Sequence, residues 1–191
     1  MTIQVILGIL LAGFLSNNYA LLHFLGTGAV LENERSSRRS LTLGLGTTLV
    51  MVITTLITWP INKYLLSKVP YVQTMVFVLV VLGVVEILHV IAKKVLDNYC
   101  RADFVKFAIN GAVLGLCIHN TEVLFLEAIV TAVAVGIGFM LTMTIFAKLK
   151  DLEVDEQAIP APFRGLPIAL LTAGMIALAL LGLQSINFFP Q

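Results

Sequence analysis

Six stretches of apolar residues, divided by short polar breaks, organise the chain. The first, Ile3–Leu31, is longer than the ~20 residues a simple membrane span needs. It is interrupted by Ser16-Asn17-Asn18-Tyr19-Ala20-Leu21-Leu22-His23-Phe24. About a dozen apolar residues lie on either side, too few for one half to cross a bilayer alone. After a polar loop from Glu32 to Arg39 comes span two, Leu41–Trp59, rich in threonine and expected to stop at Pro60. A linker with Lys63, Lys68 and Pro70 leads to span three, Tyr71–Ala92, closed by Lys93 and Lys94. Span four, Phe104–His119, is short and has Asn110-Gly111 in its middle. Only Asn120-Thr121-Glu122 separates it from span five, Val123–Ala147. The loop Lys148–Gly165 holds Asp151, Glu153, Asp155 and Glu156, and span six is Leu166–Ile186. The pattern predicts an all-α integral membrane protein with six transmembrane helices, of which helices one and four are broken or short.

Basic residues orient these spans. Loops after spans one, three and five, with the first turns of span four, hold Arg35, Arg38, Arg39, Lys93, Lys94, Arg101, Lys106, Lys148, Lys150 and Arg164. The opposite side holds Lys63 and Lys68. Both termini are therefore expected outside, with the basic loops cytoplasmic. The chain also repeats itself at an offset of 92 residues. Asn18, Ala20, Leu22, Gly44, Gly46, Leu49, Met51, Ile53 and Pro70 fall on Asn110, Ala112, Leu114, Gly136, Gly138, Leu141, Met143, Ile145 and Pro162. Three spans per half is an odd number, so the second half must enter the membrane from the other side. The expected arrangement is a single membrane domain, 1–191, made of two inverted three-helix repeats, about 1–95 and 96–191. Asn18 and Asn110 would be symmetry mates, and the two interrupted helices would meet near the bilayer centre.

Composition agrees with a membrane protein. Hydrophobic residues make up 59% of the chain and charged residues 12%, where a soluble domain carries about 25% charged; mean hydropathy is +0.99. A net charge of +1 gives no reason to expect nucleic acid as a partner; the expected surroundings are the lipid bilayer. The N-terminus lacks the basic region of a cleaved signal peptide and is read as the first span. Cys100 and Cys117 do not form a pattern that predicts a structural disulfide.

Amides at membrane depth are costly without partners. Asn17, Asn18 and Asn110 are accordingly the first site candidates, as groups that satisfy the freed backbone of broken helices around a central site. The structural alternative is that they bond neighbouring helices together. Gly44, Gly46, Gly136 and Gly138 are small residues that let helices approach closely. Glu86 and His89, three residues apart, share one face of span three. A carboxylate at the helix centre costs about 2.5–3.5 kcal/mol on insertion scales, so the functional reading is a buried proton or cation path. The structural reading is that both side chains snorkel to the interface near Lys93 and Lys94. His23 and His119 are expected at the interfaces, and the acidic run Asp151–Glu156 in a solvated loop.

Several of these motifs together resemble one family. They are Ser16-Asn17-Asn18-Tyr19-Ala20-Leu21-Leu22-His23-Phe24-Leu25-Gly26, Gly44-Leu45-Gly46-Thr47-Thr48-Leu49-Val50-Met51, Asn110-Gly111-Ala112-Val113-Leu114-Gly115, Pro160-Ala161-Pro162-Phe163-Arg164-Gly165 and Ile168-Ala169-Leu170-Leu171-Thr172-Ala173-Gly174. The chain resembles, nearly end to end, the A subunit of the Rnf complex and the equivalent E subunit of the sodium-pumping NADH:quinone oxidoreductase. That resemblance implies a multi-pass protein of the bacterial or archaeal cytoplasmic (inner) membrane. It implies a homologous partner inserted the opposite way up, the E subunit of Rnf or the D subunit of the quinone enzyme. It further implies a translocase that couples electron flow from ferredoxin or NADH to sodium or proton transport, with flavins and iron–sulfur centres in other subunits. In the family, a cysteine in span one and one in span four share a [2Fe–2S] cluster with the partner subunit. Those positions are Gly28 and Gly111 here, and glycine offers no thiolate. Cys117, six residues beyond Gly111 on another helical face, is a poor substitute ligand. Span three departs as well, because Glu86 and His89 stand where the family has an amide and a carboxylate.

The expected function is a membrane subunit of an Rnf/Nqr-type ion-translocating complex, without a complete active site of its own. The alternatives are a non-redox paralogue that transports an ion or small solute, and an assembly scaffold.

Overall fold

A computed structural model describes Leu25 and residues 37–95, 110–151, 160–163 and 166–185. Five α-helices account for most of these: α1 (Ser37–Ile61), α2 (Gln73–Val95), α3 (Gly111–His119), α4 (Phe125–Asp151) and α5 (Leu166–Ser185). Among the described residues there is no strand. The rest of span one and residues 104–109 of span four lie outside them. Three stretches, Leu43–Leu66, Pro70–Ile91 and Phe125–Ile145, are long and apolar enough to cross a membrane. Helix is what apolar surroundings impose, because each backbone N–H and C=O must find its partner within the segment.

Threonines are accommodated by the same rule. The hydroxyls of Thr47, Thr48 and Thr58 donate to the carbonyls of Leu43, Gly44 and Thr54 at 2.9, 2.8 and 2.8 Å. Thr142, Thr144 and Thr172 bond back one turn in the same way. A hydroxyl bonded to its own helix is a small polar burden, so a threonine-rich span remains a helix.

Pro60 does not stop α1. The helix runs through it to Ile61 and continues as a π-helical segment, Asn62–Leu66, before turning at Ser67–Lys68. Past Pro60 the turn widens to five residues, with Ser67 N donating to the Asn62 carbonyl at 3.0 Å. Widening the turn after the missing proline donor leaves fewer groups unpaired than stopping there. A 3₁₀ turn, Pro70–Val72, opens α2, and Gln73 Nε2 donates to Asn62 Oδ1 at 3.0 Å across the connection.

Helices α1 and α4 form the central pair and run antiparallel. Gly44 faces Met140, Thr48 faces Gly136, and Trp59 meets Phe125, so each step along one helix is a step back along the other. A Cβ on Gly44 would lie 2.6 Å from Met140 Cγ, and one on Gly136 would lie 2.5 Å from Thr48 Cγ2. Only glycine admits backbones this close. The contact is also reciprocal at the 92-residue offset, which carries Gly44 to Gly136 and Thr48 to Met140. Burial follows the same offset: Leu43 and Val135, Thr47 and Phe139, Val50 and Thr142, and Met51 and Met143 are all buried.

Helix α3 packs against α1 and α2. The core joins Val50 and Met51 of α1, Phe77 and Val81 of α2, Val113 and Leu116 of α3, and Val135, Phe139 and Met143 of α4. Ala173 brings α5 to its edge. Trp59 closes one end: its Nε1 donates to the Val123 carbonyl at 3.0 Å, its ring centroid lies 5.0 Å from that of Phe125, and Lys63 Nζ sits 4.7 Å from its centroid. Those groups suit a membrane–water interface, where an aromatic ring keeps one polar edge bonded.

Candidate functional site

Among the described site candidates, Asn110 is the most constrained. It precedes α3 in an extended conformation, φ −79° and ψ 104°. Its Oδ1 accepts from Ala112 N at 3.0 Å, and its carbonyl accepts from Val113 N at 3.1 Å. This is an N-cap, in which a side-chain oxygen satisfies a donor that the helix start leaves over. The Asn110-Gly111 break is therefore a real helix start, and α3 extends only to His119. Capping uses the oxygen alone. Asn110 Nδ2 is buried and has no hydrogen-bond partner among the described residues. Such a donor costs about 1–3 kcal/mol when left unmet.

Gly111 is the first residue of α3 and half-buried. Cys117 lies on the buried side of the same helix, beside Thr58 of α1. Its sulfur is thus buried at the α1–α3 contact. Asn17, Asn18 and Gly28, the other central candidates, lie outside the described residues. Glu86 is exposed on α2 and His89, one turn on, is half-buried. No group of three or more His, Cys, Asp or Glu side chains converges among the described residues.

Asn120 belongs to a stretch that reads in the sequence as a three-residue loop, yet it is 2% exposed. Its Nδ2 donates to the Ala128 carbonyl at 3.2 Å and to Thr55 Oγ1 at 3.4 Å. It therefore ties the end of α3 to both α1 and α4. The brevity of the connection is the signal in the sequence that could have found it: three residues between two apolar spans leave little room to reach water. Thr54 Oγ1 and Asn120 Oδ1 are further buried oxygens without partners among the described residues.

Known proteins share this pattern over nearly the full length of the chain. The family model for "Rnf-Nqr subunit, membrane protein" matches residues 6–187. The chain is 34% identical over 181 residues to the A subunit of the ion-translocating oxidoreductase complex of Syntrophotalea carbinolica, covering 91% of this chain and 93% of that one. It is 31% identical over 186 residues to the A subunit of the Na(+)-translocating ferredoxin:NAD(+) oxidoreductase complex of Acetobacterium woodii, covering 94% and 96%. With the A subunit of the ion-translocating oxidoreductase complex of Pectobacterium atrosepticum it shares 33% over 183 residues, covering 92% and 94%. Nearly the whole chain is matched in each case, and it belongs to the Rnf-Nqr family of membrane subunits.

Proposed function

We propose that this chain is a multi-pass membrane subunit of an ion-translocating oxidoreductase complex of the Rnf/Nqr type. The observation that carries the proposal is the end-to-end likeness to relatives named as the A subunits of such complexes. Its role is to form half of a pseudo-symmetric core with a homologous subunit inserted the opposite way up. The other partners are the flavin- and iron–sulfur-carrying subunits of the same complex.

Two further features support an inverted repeat. An axis perpendicular to α1 and α4 that exchanges Gly44 with Gly136 also exchanges Thr48 with Met140, as the reciprocal contact requires. Antiparallel packing of second spans from the two halves is what opposite insertion produces. The central site then lies where the break before α3 faces the interrupted first span, with Asn110 and Gly111 from one repeat and Asn17, Asn18 and Gly28 from the other. The positive end of the α3 dipole and the spare Asn110 N–H both suit an electron-rich group there. In the assembled protein the termini lie on the outer side of the cytoplasmic membrane. A reporter fused after Gln191 is expected to read as external, and a cytoplasmic readout overturns this orientation.

The residues present do not fit a [2Fe–2S] cluster held by this chain. Gly111 supplies no sulfur, Gly28 supplies none, and Cys117 is buried six residues further along α3. Any ligating thiolates at this point of the complex must come from the partner. Glu86 faces out of the chain, so a path using Glu86 and His89 runs between subunits rather than through this one. Affinity purification of the tagged chain from native membranes tests the function. Flavin- and iron-containing subunits are expected with it, along with ion uptake driven by NADH or reduced ferredoxin in vesicles. The chain purified alone is expected to hold no iron or acid-labile sulfide. Recovery without redox subunits would replace this reading with a separate transporter or scaffold.

A further inference from the structure

The outward ridge of α2 carries Leu79, Leu82, Gly83, Glu86, Ile87 and Val90, all exposed. Five of these are what a lipid-facing helix requires; Glu86 is not. It lies inside the apolar stretch Pro70–Ile91, five residues before its end, or about 7–8 Å along the helix. A carboxylate facing hydrocarbon is unfavourable, and natural spans turn such groups toward protein or water. Glu86 forms no ion pair among the described residues. One turn earlier, a Cβ on Gly83 would have nothing within 4 Å. Bare backbone therefore sits at the surface beside the carboxylate. Elsewhere in this chain buried glycines mark close helix crossings, at Gly44 and Gly136. At Gly83 no described helix of the chain fills the corresponding space.

We propose that this ridge seats a transmembrane helix of another subunit, which packs against Gly83 and presents a lysine or arginine to Glu86. Charge complementarity selects the occupant. A cation at that depth is itself stable only against an anion, so each charge supplies the other's partner. A small residue beside it lets the two backbones approach until the pair is shielded from lipid. The inference rests on membership of a multi-subunit complex and adds which face is used and what chemistry the partner brings.

The test uses the assembled complex. A photo-crosslinking amino acid at Leu82, and separately at Ile87, is expected to form adducts with one and the same co-purifying subunit. Glu86→Lys is expected to lower recovery of that subunit about tenfold or more, the scale set by opposing like charges at a close contact. Reversing the partner cation to glutamate should restore recovery. Gly83→Leu should lower it similarly while the melting of the isolated chain is unchanged or slightly raised, since a Cβ there meets nothing within 4 Å. Lipid adducts alone at both positions, adducts with a second copy of this chain, or full recovery with Glu86→Lys would each overturn the proposal. If the wild-type chain still recovers its redox subunits in those cases, the complex reading stands and only the seat is wrong. If the wild-type chain recovers none, both fall.

Discussion

Gly136→Ala is expected to destabilise the detergent-solubilised protein by about 1–3 kcal/mol, the range for overpacking a tight contact. For a chain of this length that corresponds to roughly 2–4 °C in melting temperature per kcal/mol. Intrinsic helix propensity pulls the other way, favouring alanine by up to about 1 kcal/mol. Packing wins because the new methyl would lie 2.5 Å from Thr48 Cγ2, 2.9 Å from its Cβ and 3.0 Å from its Cα. Threonine is branched at Cβ and stiff within a helix, so it cannot swing aside. Gly44→Ala meets Met140 Cγ at 2.6 Å but also its Cα at 2.8 Å. Methionine is flexible, and the expected loss is therefore smaller than at Gly136. Both substitutions push the same two helices apart, so the double variant should lose less than the sum. Gly174→Ala and Gly182→Ala have nothing within 4 Å and should leave the melting temperature unchanged or slightly raised. Melting curves of the five variants settle the matter; wild-type behaviour of Gly136→Ala, or strict additivity, contradicts the crossing described above.

The second large effect is expected at Asn110, where stability and function can be separated. Asn110→Ser keeps a cap oxygen for Ala112 N but removes the amide donor. It should melt near wild type and yet lower ion uptake by the complex about tenfold, the equivalent of roughly 1.4 kcal/mol within the cost of unpairing a buried group. Asn110→Leu loses the cap as well and should forfeit a further ~0.5–2 kcal/mol of stability. Gln184→Leu, in the last turn of α5, should match wild type in both measurements. Uptake by Asn110→Ser equal to that of Gln184→Leu would remove Asn110 from the central site.

Much of the fold is legible in the sequence because hydrocarbon leaves the chain little choice. Spans two, three, five and six, read from runs of apolar residues, correspond to α1, α2, α4 and α5 with ends shifted by a few residues. The break at Asn110-Gly111 is legible too, since an amide and a glycine in a short apolar span read as a helix start. Pro60 misleads for a physical reason: the missing donor is absorbed by the wider π-helical turn that follows it, so the helix continues instead of ending. Gly44 and Gly136 are visible as small residues, but that the residues they meet, Met140 and Thr48, are themselves symmetry mates is a tertiary fact. Asn120 is hidden because asparagine is common in both loops and buried ties, and only the packing of α1, α3 and α4 decides between them. For Glu86 the pattern offers an inward path or a snorkelling side chain. Its outward position follows from Val84 and Val85 claiming the buried side of α2.

Trp59 is the only tryptophan in the chain, and it is held by Val123, Phe125 and Lys63 where α1 and α4 converge. Emission excited at the red edge of the aromatic band, where the four tyrosines absorb little, therefore originates at one location. A shift in its colour or intensity reports the parting of those two helices at that end, with no label introduced. The indole is a built-in gauge for watching the two halves separate while the rest of the chain stays silent.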